Sequence, residues 1–118
     1  MAIHNTFTGF VALVSLPAQQ KSPIEVIVDT GFTGELALTE AWIQQLQLVK
    51  LGDKEISTAN SKKEEVPFYR LDVDWFGTVR KVEVLGVKGK MNLLGMRLLD
   101  SRLTQIEMRS NPKTITIQ

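Results

Sequence analysis

The chain has 118 residues, with 14 Lys and Arg against 13 Asp and Glu, so a net charge of +1 gives it no electrostatic footprint for nucleic acid or an anionic membrane. It has no Cys, which excludes disulfides, zinc-thiolate sites and Cys nucleophiles, and its one His, His4, sits at a chain end where a catalytic base lacks a rigid supporting shell. One domain, residues 1–118, accounts for the length; the apolar stretch from Phe10 to Leu16 is far shorter than the ~20 residues of a membrane span and has no cationic run before it, so the expectation is a soluble, cytoplasmic protein.

Thr6 to Leu16 reads as a first strand ended by Pro17, with apolar residues on both alternating sets. Ala18 to Ser22 reads as a polar loop, and Pro23 opens a second strand. Its Val26, Ile27 and Val28 form an unbroken apolar run, the pattern of a strand buried on both faces. That run ends in Asp29-Thr30-Gly31 with no Lys or Arg beside it. A carboxylate in such a place must neutralise or find donors, so it belongs either to a structural network or to a catalytic arrangement. A tight turn suits the tripeptide. Gly31 is expected to supply a backbone conformation other residues resist and to aim its N–H at the carboxylate, while the Thr30 hydroxyl bonds outward.

Glu35-Leu36-Ala37-Leu38 is short and apolar. Thr39 then looks like the N-cap of an amphipathic helix, with Glu40 in its first turn and Trp42, Ile43 and Leu46 at helical spacing to about Gln47. Gly52-Asp53 signals a turn, and a weakly alternating strand follows from Glu55 to Ala59. Asn60 to Lys63 turns the chain into a long half-buried strand, Glu64 to Trp75, with Leu71, Val73 and Trp75 on one face and Arg70, Asp72 and Asp74 on the other. Phe76-Gly77-Thr78 reverses it into Val79 to Val87, where Val82 and Val84 oppose Lys81 and Glu83. Two consecutive hairpins result. Trp75 reads as packing and Lys62-Lys63-Glu64-Glu65 as a solvated loop. Gly86 to Lys90 is a loop. The apolar pair Leu93-Leu94 then leads to Gly95 and one or two helical turns, and two strands end the chain, Arg102 to Met108 and Thr114 to Ile117, joined by Asn111-Pro112. The expectation is an all-β fold with two short helices.

Asp-Thr-Gly after an apolar strand, then two hairpins, then an apolar pair with glycine and a short helix resembles the retropepsin-like aspartic peptidases, in particular small bacterial ones with Asp-Thr-Gly-Phe-Thr-Gly. The resemblance spans nearly the whole chain. It implies a closed β-barrel, the acid-protease half. It also implies that Asp29, Thr30 and Gly31 form the catalytic loop, that the hairpin around Ala59, Asn60 and Ser61 is a substrate-binding flap, and that Leu94 and Gly95 belong to the supporting element. Such chains pair as homodimers, each giving one Asp to a dyad that hydrolyses polypeptide without metal or cofactor. The sequence argues separately for pairing, since a chain with one Asp-Thr-Gly cannot build a two-carboxylate site alone and a two-fold dimer is the simplest remedy. By the same resemblance the terminal strands, Thr6 to Leu16 and Thr114 to Ile117, are candidates for the dimer contact.

Three features depart from the family pattern. Phe32 stands where a residue with a small side chain, Ala or Ser, is usual, so no hydroxyl there can support an ionised Asp29. Met96 and Thr33 replace an Arg and an Asp that commonly pair, with Arg97 as a substitute contact for the dimer. The flap tip lacks a Gly-rich sequence. The reading from another class is a catalytically inactive, β-rich dimeric interaction module on a peptidase-like fold.

Overall fold

The computed structural model describes residues 5–8, 11–17, 23–29, 31–57, 62–100, 106–110 and 113–117. In chain order these form β1 (Asn5–Thr8), β2 (Val11–Val14), β3 (Ile24–Val28), β4 (Leu36–Thr39), α1 (Glu40–Gln45), β5 (Gly52–Ser57), β6 (Lys63–Trp75), β7 (Thr78–Val87), β8 (Leu93–Leu94), α2 (Met96–Asp100), β9 (Ile106–Ser110) and β10 (Lys113–Ile117). The expected loop at 18–22, the hairpin tip at Ala59, Asn60 and Ser61, the residue Thr30 and the turn at Asn111-Pro112 lie outside the described residues.

A seven-stranded sheet runs in the order β2-β3-β8-β4-β7-β6-β5, and a three-stranded sheet in the order β1-β10-β9. The stretch read as one first strand therefore divides between two sheets. Apolar residues on both of its alternating sets concealed the division, because neither face is marked as the solvent side. Among the described residues the expected barrel curls but does not close through a continuous ladder. Asp74 N–H donates to Ser15 O at 2.8 Å, so a bridge just beyond β2 reaches β6, while β5 is paired with β6 alone.

β6 and β7 pair antiparallel from Trp75↔Thr78 to Phe68↔Leu85. Their two-residue turn has positive φ at both Phe76 (53°) and Gly77 (84°), the mirror-image geometry whose twist suits a hairpin, and Gly77 N–H donates to Asp74 Oδ1 at 2.8 Å. Val73 and Trp75 are buried as their alternation requires. Glu83 is not where alternation put it: at 5% exposed it is buried, because β7 is covered on both sides from Val82 to Gly86. Gly52-Asp53 is likewise strand rather than turn. A Cβ on Gly52 would lie 2.9 Å from Phe68 Cε1, so this glycine makes room for a cross-strand ring. Gly86 and Val87, where the expected strand and the expected loop overlap, belong to the strand and complete β7 beside β4.

The core gathers β2, β3, β4, β6, β7, β8, α1 and α2, with Ile24, Leu36, Leu38, Val73, Val82, Val84, Leu94, Leu98 and Leu99 fully enclosed. α1 starts after Thr39 as expected, yet the Thr39 hydroxyl makes no cap bond; its N–H donates instead to Asn92 Oδ1 at 2.9 Å. Buried Asn92 also donates from Nδ2 to Glu25 O at 3.0 Å and accepts Ile27 N–H on its own carbonyl at 2.8 Å. One side chain thus joins β3 and β4 at the point where β8 enters between them.

Candidate active site

β3 alternates, with Ile24, Val26 and Val28 buried and Glu25 exposed, so it is covered fully on one face only and not on both as its apolar run suggested. Asp29 is the next residue on the Glu25 and Ile27 side. Its side chain is therefore directed away from the core, and it is half-buried. The carboxylate has a partner: Gly31 N–H donates to Asp29 Oδ1 at 2.9 Å, as expected. Gly31 is not needed for a left-handed φ, since Gly77 is the glycine with positive φ among the described residues. It is needed for closeness, because a Cβ there would sit 3.3 Å from Asp29 Oδ1.

The supporting element is β8 and the start of α2. β8 runs parallel to β3 and antiparallel to β4, so it is slotted between the two strands that carry the Asp29 loop. Main-chain bonds then interlock the crossing. Asp29 N–H donates to Leu94 O at 3.0 Å, Gly95 N–H to Glu35 O at 2.9 Å, Met96 N–H to Phe32 O at 2.8 Å and Arg97 N–H to Gly34 O at 3.2 Å. Phe32 N–H closes the loop on Asp29 O at 3.1 Å. Gly95 is obligatory at this approach, since a Cβ on it would meet Gly34 O at 2.1 Å.

Phe32 has a structural cause. Added Cβ atoms on Gly34 and Gly95 would lie 2.6 Å from Phe32 Cζ and 2.7 Å from Phe32 Cδ2, so its ring rests on the bare backbone of both glycines. Leu94, read as part of the supporting element, is fully buried, and Gly95 follows it into the crossing. β5 and β6 form the expected hairpin, paired from Gly52↔Phe68 to Ser57↔Lys63. Its tip residues and Thr30 are outside the described set, so the structure brings together Asp29, Gly31, Leu94 and Gly95.

Two buried polar residues beside the site were not singled out from the sequence. Glu35, 6% exposed, accepts Glu83 N–H on Oε1 at 3.0 Å and lies 3.5 Å from Arg80 through Oε2; Asn92 is the other. The available signal was a polar residue immediately before an apolar pair, Glu35 before Leu36-Ala37 and Asn92 before Leu93-Leu94. A groove of about 490 Å³ lies elsewhere, lined by Ile43, Ile56, Val66, Pro67, Tyr69 and Gly86 among others, and does not include Asp29.

No family model matches the chain, and no curated protein sequence matches it. Solved structures do. A retropepsin-like aspartic protease from Rickettsia conorii superposes with a TM-score of 0.65 at 20% identity, covering 97% of this chain and 89% of that one. The fold is retropepsin-like. An EIAV protease complexed with the inhibitor HBY-793 aligns with a TM-score of 0.59 at 19% identity, covering 76% of this chain and 84% of that one. Within a retropepsin-like fold, the β3 loop with Asp29 and the β8 crossing with Gly95 are the parts that the sequence resemblance assigned to catalytic loop and supporting element.

Proposed function

We propose that this protein is an aspartic endopeptidase that acts as a homodimer, each chain contributing Asp29 to one dyad. The observation that carries the reading is the half-buried Asp29 carboxylate, oriented by Gly31 N–H inside a loop clamped by main-chain bonds. The retropepsin-like fold supports it.

Two carboxylates within hydrogen-bond reach cannot easily both ionise, so one keeps a proton while the other serves as base, and the pair titrates as a unit. The ionised Asp29 removes a proton from a bound water, the water attacks the peptide carbonyl, and the protonated mate donates to the developing oxyanion. Gly31 N–H fixes the carboxylate, and Thr30 bonds across the dimer axis. The substrate lies extended and pairs with the β5–β6 hairpin through its main chain, with Ala59, Asn60 and Ser61 closing over it. β1 and β10, which pair from Asn5↔Ile117 to Thr8↔Thr114, hold the candidate dimer strands. With no Cys to form disulfides, the cytoplasm is the proposed compartment.

Cleavage of an unstructured protein or peptide pool, scanned from acid to neutral pH, tests the reading. Asp29→Asn removes the activity; unchanged cleavage in that variant rejects the mechanism, and no cleavage by the parent at any pH returns the chain to the interaction-module reading. Sedimentation tests the dimer independently, and a monomer at high concentration leaves the site incomplete.

A further inference from the structure

The two buried glutamates lie on one line of contacts. Glu35 takes Gly95 N–H on its main-chain oxygen at 2.9 Å, inside the crossing that holds the Asp29 loop. Its side chain reaches the other way, accepting Glu83 N–H at 3.0 Å, just where the β4 ladder on β7 begins at Leu36↔Val84. The carboxylate of Glu83 then pairs with Lys54 Nζ, on β5, and that ammonium also stands 5.3 Å from the centroid of the Phe68 ring. Gly95, Glu35, Glu83 and Lys54 therefore connect the Asp29 loop to the outer strand of the hairpin.

Burial makes these carboxylates worth explaining. At 6% and 5% exposure each needs its partners, and well-packed apolar residues in place of a buried ion pair often give equal or greater stability. Stability alone is then a poor reason for two of them. β5 supplies another. It is an edge strand whose Asp53, Glu55 and Ser57 are exposed, and its ladder is to β6 alone. Of the three ion pairs involving β5 among the described residues, Lys50–Asp53 and Lys63–Glu55 are local or within the hairpin, with every side chain at least 46% exposed. Lys54–Glu83 crosses to β7 and ends on a buried carboxylate.

We infer that Glu35 and Glu83 are positioning residues that couple the β5–β6 hairpin to the Asp29 loop, so that displacement of the hairpin is felt at the carboxylate. The catalytic consequence rests on the peptidase reading; the coupling does not.

Hydrogen exchange on the full-length chain tests the coupling without any activity. Lys54→Met changes a side chain that is 41% exposed, so the fold should survive it. Amide exchange should accelerate about threefold or more over residues 52–57 and also over 29–36, in the parent background and in Asp29→Asn alike. Acceleration confined to the hairpin overturns the inference. In the active protein, Glu35→Ala should lower kcat about tenfold with KM within about twofold, and Glu35→Gln, which keeps an acceptor for Glu83 N–H, should restore most of it. The Lys54→Met/Glu35→Ala double variant should be no worse than Glu35→Ala within about twofold; independent, multiplicative losses also overturn the inference. If the parent cleaves nothing, the peptidase reading fails and the exchange experiment still decides the coupling.

Discussion

The Asp29 loop and the β5–β6 hairpin are held in opposite ways. The loop is fixed by main-chain hydrogen bonds to Leu94, Gly95, Met96 and Arg97, with the Phe32 ring pressed onto two glycines. The hairpin carries a sheet edge, has its first β6 residues exposed, and is tied across to β7 by the Lys54–Glu83 side-chain pair. Main-chain clamping leaves few degrees of freedom and suits a group that must stay oriented. A strand held by one ladder and a side-chain pair opens at lower cost, which suits a segment that admits an extended chain. The Asp29 loop is thus held by main-chain bonds, and the outer strand of the hairpin by one ladder and a side-chain pair.

Substitutions in the two regions should separate these roles. Asp29→Asn keeps the shape of the loop and should reduce kcat/KM by about 10⁴-fold, with the urea midpoint nearly unchanged. Gly95→Ala puts a methyl against Gly34 O and breaks the clamp itself; a loss of about 3 kcal/mol or more in urea unfolding is expected, and a loss below 1 kcal/mol would mean the crossing yields easily. Phe32→Ala removes the ring from Gly34 and Gly95 while leaving both backbones in place, so about 2 kcal/mol should be lost in the same measurement. Lys54→Met leaves the buried Glu83 carboxylate without its ammonium, so about 1 to 2 kcal/mol should be lost, less than at Gly95, and exchange at the hairpin should change with it. A comparison in which Lys54→Met unfolds the protein and Gly95→Ala does not would invert the picture.

The architecture was legible where local chemistry and long-range packing agree. Val26 to Asp29, the Phe76-Gly77 reversal and the Leu94-Gly95 junction each carry their own signal, and each is where it was expected. Thr39 is expected as a cap from its position, and it does precede α1, but its hydroxyl makes no cap bond, and its own N–H donates to Asn92 Oδ1. Gly52 imitates a turn, since the local signal is the same whether glycine turns a chain or clears space for Phe68. Glu83 imitates a solvent-facing residue, since alternation reports two faces and cannot report that both are covered.

The sequence by itself determined the candidate chemistry: a carboxylate at the end of an apolar strand, a glycine beside it with its N–H available, and no Cys to compete. Those are properties of residue type and near neighbours, which a linear reading contains. Tertiary structure alone decided what surrounds that carboxylate. β8 enters between β3 and β4 from more than fifty residues away in sequence, with Asn92 Nδ2 reaching Glu25 O across a separation of 67, and Glu35 meets Glu83 across a separation of 48. Such contacts have no local signature, because a buried carboxylate and a solvated one are written with the same residue, and only the packed chain distinguishes them.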